Sequence, residues 1–290
     1  MILGLNKLKI GLVLVLLFFV VSCTQASEKG AEINYKQGFM DIGITALGNT
    51  EEYQKQRLEL PVSINNNLAY DLEKVEVSVL GFDNHYVDIY TDKQQLATLE
   101  GKNLFNPEGG MQKFLFDGMI KSLLPGAVTE TQSYRIYVSY NSEVEFSPSL
   151  CVTSQRLESV GSAYDTFQGA CTFQKEISYS GQGAPVGVTN LELVPRQGKQ
   201  IELRMTIENR GKGKVGKISL AAATLGGKPL TCEFRGDTTK DVFSFDSEKK
   251  SATLVCAGYL LSEDLYTTPL YLQLLYDYEI NQKEEMAILE

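Results

Sequence analysis

The sequence predicts an all-β protein, and three features of the chain support this prediction. Apolar and polar residues alternate over many short segments, which is the period of a half-buried β-strand. Gly, Pro and Asn separate these segments at the intervals that antiparallel sandwiches use. The strand pattern also occurs twice, so two β-sandwich domains are expected in the one chain.

The repeat keeps a constant offset in residue number. A strand pattern that ends at Asn66 corresponds to a second one that ends at Asn209, and another strand follows each. The matched apolar residues are Leu58, Leu60, Val62 and Ile64 with Ile201, Leu203, Met205 and Ile207, then Leu72, Val75, Val77 and Val79 with Val215, Ile218, Leu220 and Ala222. At a slightly different offset, Ile136, Val138 and Tyr140 resemble Leu272, Leu274 and Tyr276.

These patterns predict two immunoglobulin-like antiparallel β-sandwich domains, at 39–140 and 187–290, with a linker at 141–186. The chain has no tryptophan, so the antibody type of core is excluded. One segment, Met111–Leu124, suits a helix as well as a strand.

The N-terminus predicts an export signal. Lys7 and Lys9 precede the apolar run Ile10–Val21, which is too short to cross a hydrocarbon core that needs ~20 residues. The following Val-Val-Ser-Cys resembles the lipobox of prokaryotic lipoproteins. That resemblance implies removal of residues 1–22 and attachment of a diacylglyceryl group to Cys23.

An uncleaved anchor helix, counted from Ile2, is the alternative. Both interpretations place the rest of the chain on the extracytoplasmic face of the cell membrane, with residues 23–38 as a polar tether.

Four further cysteines predict disulfides, because an even number in an exported chain is typical of them. Of the three possible pairings, Cys151–Cys171 and Cys232–Cys256 each close a short local loop and are favoured. Zinc is the rival use of four thiols, but the chain contains no C-x-x-C pair.

The stretch Gly211–Lys217 reads G-x-x-x-x-G-K, which is close to a phosphate-binding loop. The next residue is Ile218, whereas that loop needs a Ser or Thr hydroxyl for magnesium. The repeat also places the stretch between two β-strands, so a hairpin is predicted and no nucleotide is expected. The net charge of −9 likewise disfavours nucleic acid as a partner.

Seven basic residues around this stretch predict a site for an anionic partner on an otherwise acidic chain. They are Arg196, Lys199, Arg204, Arg210, Lys212, Lys214 and Lys217. A solvated turn, whose lysines discourage pairing between sheet edges, is the alternative.

The segment VTNLELVPRQGKQIELRMTIENRGKGKVGKISLAAATL resembles the CARDB modules, the adhesion-related immunoglobulin-like domains of bacterial and archaeal cell surfaces. Gln197-Gly198-Lys199 matches their Gly-Lys turn, and Asn209-Arg210-Gly211 matches their Asn-x-Gly strand end. The resemblance implies a binding or spacer role, and it brings no catalytic residues.

We therefore expect a membrane-tethered binding or scaffold protein of the cell surface, with a protein or surface polymer as its partner. No catalytic residue, metal site or cofactor is expected. Two alternatives remain open. One is a surface-polymer hydrolase that uses carboxylates, and the other is a subunit that adds strands to an envelope or filament assembly.

Overall fold

The computed structural model describes residues 35–154, 166–168, 171–236, 242–245 and 250–290. Every regular element in these ranges is a β-strand, so the all-β prediction is confirmed. Residues 35–290 group into one compact unit. The predicted signal peptide, Cys23 and most of the tether lie outside the described residues. Within the described residues, no helix is long and apolar enough to span a membrane.

The strands form three main sheets. The nine-stranded sheet contains β3 (Glu51–Tyr53), β5 (Leu72–Leu80), β7 (Lys93–Leu99), β9 (Thr129–Phe146), β10 (Ser149–Val152), β17 (Lys214–Leu225), β18 (Lys228–Pro229), β20 (Val242–Ser244) and β22 (Tyr266–Leu289). The four-stranded sheet contains β2 (Gly43–Ala46), β4 (Arg57–Asn65), β6 (Val87–Ile89) and β8 (Met111–Ile120). The five-stranded sheet contains β13 (Glu176–Ser178), β15 (Val186–Arg196), β16 (Gln200–Asn209), β19 (Thr231–Arg235) and β21 (Ser251–Tyr259).

Two further strand pairs complete the described elements. They are β1 (Gly38–Phe39) with β14 (Gln182–Ala184), and β11 (Thr166–Gln168) with β12 (Thr172–Gln174). Residues Met111–Ile120 of the ambiguous segment form strand β8, because the sheet buries the alternate residues Phe114, Phe116 and Ile120.

The nine-stranded sheet has one apolar face and one polar face. In β9 and β22 the even-numbered residues from Tyr134 to Phe146 and from Leu270 to Ile280 are buried, and the odd-numbered residues alternate with them on the other face. Because strand side chains alternate between faces, the apolar face is continuous across both strands. The buried residues of both smaller sheets pack with this apolar face in one hydrophobic cluster, while the odd-numbered residues of the opposite face are half-buried or exposed.

The two copies of the repeat meet within this sheet. The long strands β9 and β22 pair in antiparallel register from Thr129–Leu289 to Phe146–Leu272. Each half has the same order around this ladder. In the first copy β5 pairs with β9, and the second sheet has the order β2-β4-β8-β6. In the second copy β17 pairs with β22, and the corresponding sheet has the order β15-β16-β21-β19. β9 crosses the proposed boundary at residue 140, and the division into separate domains stays a prediction.

The repeat extends to individual hydrogen bonds at the strand ends. The amide oxygen of Asn66 accepts the N–H of Leu68 at 3.0 Å, and its nitrogen donates to the Tyr70 carbonyl at 2.9 Å. Asn209 makes the corresponding bonds, from Gly211 N–H at 3.1 Å and to the Gly213 carbonyl at 2.9 Å. A side chain with both an acceptor and a donor is needed here, which explains why each strand pattern ends in asparagine.

These turns do not form hairpins, so the hairpin prediction for the Gly211–Lys217 stretch is wrong. β16 pairs with β15 and β21, whereas β17 pairs with β22, β18 and β20 in the opposite layer. The turn therefore crosses from one sheet to another, as the Asn66 turn does between β4 and β5. A hairpin and a crossover between sheets have the same alternation of apolar and polar residues within each strand, so the sequence pattern could not distinguish them.

Both predicted disulfides are present. Cys232 and Cys256 lie directly opposite each other and join the edge strand β19 to β21. Cys151 and Cys171 join β10 to the residue that precedes β12. A closed loop of this length stabilises a protein by about 3 kcal/mol in the chain-entropy model.

We predict that Asn66→Ala lowers the free energy of unfolding by about 3 kcal/mol. The side chain is fully buried and also donates to the Leu99 carbonyl at 3.0 Å, so three buried backbone groups lose their partner. Asn209→Ala, at a half-buried position, should cost only about 1 kcal/mol. Urea unfolding of both variants tests the difference, and equal losses would contradict it.

Candidate functional site

An approximate two-fold axis relates the two copies and crosses the sheet between β9 and β22. Val77 pairs with Val138 in the first copy, and the corresponding Leu220 pairs with Leu274 in the second. The offset that relates Val138 to Leu274 also carries Asn141 onto Asp277. These two residues are direct partners in the ladder, so the axis passes between them.

A groove lies on the open face of the sheet at this axis. Its main cavity has a volume of about 760 Å³, and a second one of about 460 Å³ shares Lys74, Asn141 and Asp277 with it. We call the two together the central groove. Its polar lining includes Lys36, Asp71, Glu73, Lys74, Asn141, Glu143, Glu145, Lys214, Lys217, Ser219, Asp277 and Glu279.

Two lysines flank the axis at equivalent places. The offset that relates β5 to β17 carries Lys74 onto Lys217, and each lies in a β-bulge, between Glu73 and Glu76 in β5 and between Val215 and Ile218 in β17. Lys74 has a positive φ of 51° there. A bulge changes the direction in which a side chain leaves the strand. Both bulges therefore contribute a lysine to the groove lining.

Charged side chains of both signs in the groove have no ion-pair partner among the described residues. They include the cations of Lys74 and Lys217 and the carboxylates of Glu73 and Asp277. All four of these residues are exposed, so water solvates their charges without a partner from the protein. Unpaired charges of both signs in one cavity are available to a ligand instead.

The wall near the N-terminal segment is more tightly held. Lys36 donates to Glu145, and the Tyr271 hydroxyl donates to the same carboxylate at 3.0 Å. The hydrogen bond from Lys36 lowers the pKa of Glu145, which keeps it ionised. The hydroxyl of Tyr70 accepts the N–H of Glu145 at 3.0 Å and donates to its carbonyl at 3.2 Å, where β5 has diverged from β9.

The structure does not bring the seven predicted basic residues together. Lys199 lies in the turn before β16 and Arg210 in the turn after it, so the strand separates them by roughly 30 Å. Lys212 lies in the latter turn as well. Of the seven, only Lys214 and Lys217 line the central groove.

The arginines among the seven are paired with nearby acids. Glu202 accepts from Arg196 at 2.8 Å and from Arg204 at 2.6 Å, and Arg210 binds Glu208 at 2.5 Å. Exposed pairs of this kind contribute about 0–1 kcal/mol, so they mainly neutralise the local charge. As a site for an anionic partner, the seven residues stay a prediction.

No protein-family model and no curated protein matches the sequence. The central groove and the surfaces around it are therefore the basis for assigning a function to this chain.

The loop that resembles a phosphate-binding motif uses its backbone N–H groups within the protein. Lys212 N–H donates to Asp41 at 2.8 Å, and Gly213 N–H donates to the Tyr278 hydroxyl at 2.8 Å. Gly211 N–H donates to Asn209 and to the Pro185 carbonyl. A phosphate loop keeps such groups free for its ligand. In this protein they anchor the crossover turn over Tyr278.

Within the described ranges, no group of three or more His, Cys, Asp or Glu residues is arranged to hold a metal ion. The groove residues that sequence reasoning missed are chiefly Glu73, Lys74, Asn141 and Asp277. The repeat contained a signal for Lys74, because its offset carries Lys74 onto Lys217. The sequence contained no signal for the Asn141–Asp277 contact, which depends on the register of two strands far apart in the chain.

We predict that Gly211→Ala destabilises the fold by about 1–3 kcal/mol, whereas Gly216→Ala is tolerated. A Cβ at Gly211 would lie 2.1 Å from the Tyr278 hydroxyl and 2.6 Å from the Pro185 side chain. At Gly216 the nearest atom, in Asp277, would be 3.6 Å away, which is an ordinary contact. Thermal unfolding measures the stability of both variants. If the loop bound phosphate instead, both substitutions would weaken nucleotide binding to a similar extent and would leave the unfolding temperature unchanged.

Proposed function

We propose that this protein is a membrane-tethered, extracytoplasmic binding protein built from two immunoglobulin-like modules, and that the central groove holds its ligand. The observation that carries the proposal is the set of unpaired charges at the two-fold axis. Two equivalent lysines and two carboxylates line a cavity of about 760 Å³ without a partner in the described part of the chain.

The ligand should carry both positive and negative groups. Lys74 and Lys217 suit carboxylate or phosphate oxygens, while Glu73 and Asp277 suit an amine. The volume lies within the range of about 300–1,000 Å³ that binding clefts use, so it accommodates a few units of a chain. A peptide segment with free amino and carboxyl groups, or a zwitterionic surface polymer, fits these requirements.

The disulfides support an extracytoplasmic location, because such bonds persist in oxidising compartments. The predicted export signal and the resemblance of the residues up to Cys23 to a lipobox support attachment to the membrane. The similarity to CARDB modules supports a binding role at the cell surface, as does the β-sandwich-like layering of each repeat copy.

Hydrolysis of a surface polymer is the second candidate. Glu143 and Glu145 lie on one face of β9 at a spacing of ~7 Å along the strand, within the separation that inverting glycosidases use. Both carboxylates already have partners, however. Gln273 donates to Glu143 at 2.6 Å, and Lys36 binds Glu145, so binding is the function that we favour.

We predict that Lys74→Glu/Lys217→Glu weakens ligand binding at least tenfold, equivalent to about 1.4 kcal/mol, because both anion-binding groups are reversed. Calorimetry should use three probes, namely a peptide with free lysine amines and glutamate carboxylates, a uronic-acid oligosaccharide and a neutral oligosaccharide. The peptide should bind best. Lys113→Glu, an exposed lysine on the four-stranded sheet, is the matched control.

Unchanged peptide affinity in the double variant would overturn the groove assignment. Mass spectrometry of the probes after incubation separates the second candidate from the first. Intact probes agree with binding, and shortened oligosaccharides would establish hydrolysis.

We also predict that the chain from its native host begins at a lipid-modified Cys23. Intact-mass analysis should show loss of residues 1–22 and gain of a diacylglyceryl group, and Cys23→Ala should move the protein out of the detergent phase. A chain that retains residues 1–22 and still partitions into detergent would show that the anchor is a helix instead.

A further inference from the structure

The loop between β7 and β8 exposes two large apolar side chains at its tip. Phe105 is 97 % exposed and Leu104 is 78 % exposed, the highest fractions among the large hydrophobic residues that the structure describes. Adjacent apolar residues with this exposure have no role in the core. They point to contact with something outside the molecule.

The tip is held in a defined conformation. The side-chain oxygen of Asn103 accepts the N–H groups of Phe105 at 2.8 Å and Asn106 at 2.9 Å. The carboxylate of Glu100 in turn accepts the side-chain amide of Asn103 at 2.7 Å. These bonds hold the backbone of the tip in a conformation that leaves both apolar side chains exposed.

The base of the loop is fixed to the first crossover turn. Lys102 N–H donates to the Leu68 carbonyl at 2.7 Å, and Gly101 N–H donates to Asp71 at 2.8 Å. A Cβ on Gly101 would lie 2.6 Å from the Tyr70 backbone, so only glycine permits this approach. The position of the tip is therefore set by the turn that follows Asn66.

The N-terminal segment joins the body at the same turn. Ala69 N–H donates to the Gly183 carbonyl at 2.9 Å, and a Cβ on Gly183 would lie 2.3 Å from the Tyr35 carbonyl oxygen. Tyr35 thus lies beside Gly183, which binds Ala69 of that turn, and the ammonium of Lys36 lies 5.3 Å from the ring centroid of Tyr70 in the same turn. The twelve residues from Cys23 to Tyr35 span at most about 40 Å, so a lipid on Cys23 holds Tyr35 within about that distance of the membrane.

We propose that Leu104 and Phe105 insert into the interfacial layer of the membrane and orient the tethered body on it. The proposal rests on the membrane attachment put forward above. Phe and Leu are the residues that interfacial anchors bury beneath the lipid headgroups. The charged residues that flank the tip, Glu100, Lys102 and Glu108, carry a net charge of −1, so insertion should be slightly stronger into zwitterionic than into anionic lipid.

The absence of tryptophan from the chain makes a direct test possible. The other four cysteines are disulfide-bonded, so the thiol of Cys23 in a chain beginning there can be coupled to a maleimide lipid in phosphatidylcholine vesicles. Phe105→Trp then places one fluorophore at the tip. Its emission should shift to shorter wavelength and be quenched when the vesicles contain dibrominated lipid.

Tyr259→Trp provides the matched control, because Tyr259 is 65 % exposed and lies at the end of β21 beside Gln200. Its emission should not be quenched. Leu104→Ser in the Phe105→Trp background should reduce the quenching of the tip fluorophore, because half of the apolar tip is removed.

Emission from the Phe105→Trp variant that matches the control would overturn the proposal. A shift that depends on protein concentration and occurs without vesicles would assign the tip to a second copy of the chain, and would overturn it too. Because the lipid is coupled chemically, this experiment does not need acylation of Cys23 in the cell. The quenching result at the tip can therefore be interpreted even if the predicted lipid modification of Cys23 is not found.

Discussion

The antiparallel ladder between β9 and β22 is the interaction on which the rest of the structure depends. It joins the two repeat copies, and its register sets which residues each face presents. A slip of one residue in either strand would turn Tyr140 or Tyr278 toward solvent and bury Asn141 or Asp277, because side chains alternate along a strand. The buried tyrosine pair, with ring centroids 5.4 Å apart, therefore fixes the core and the groove at the same time.

The two copies keep the same crossover turn and use it differently. In the first copy Asn66 is fully buried, and its turn supports the loop with the apolar tip and carries Tyr70, whose ring centroid lies 5.3 Å from the Lys36 ammonium. In the second copy Asn209 is half-buried, and its glycine-rich turn packs over Tyr278 and Asp41. A single local device, an asparagine that closes a turn, thus positions the apolar tip in one copy and covers the centre of the sheet in the other.

Charge is distributed over this surface in two distinct ways. The arginines in β15, in β16 and in the turn after β16 pair with Glu192, Glu202 and Glu208, which neutralises their charge locally. At the two-fold axis, by contrast, lysines and carboxylates share a cavity without pairing to one another. The bulges in β5 and β17 contribute to this arrangement, because each interrupts the ladder of backbone hydrogen bonds and contains one of the groove lysines. The groove and the apolar tip are separate surfaces, one polar and one apolar, and the proposed ligand and the proposed membrane contact each use one of them.

Local pattern alone predicted the all-β class and the repeat of this protein and favoured the two disulfide pairings that are present, because alternation indicates a strand and short cysteine spacings favour local bridges. It could not show that the turns after Asn66 and Asn209 cross between layers, since a hairpin and a crossover leave the same alternation. Only the tertiary structure decided that Asn141 meets Asp277, and that the seven basic residues lie apart. The physical reason is the same in both cases. An extended strand separates its sequence neighbours by its length, while sheet pairing brings distant residues within about 5 Å of each other.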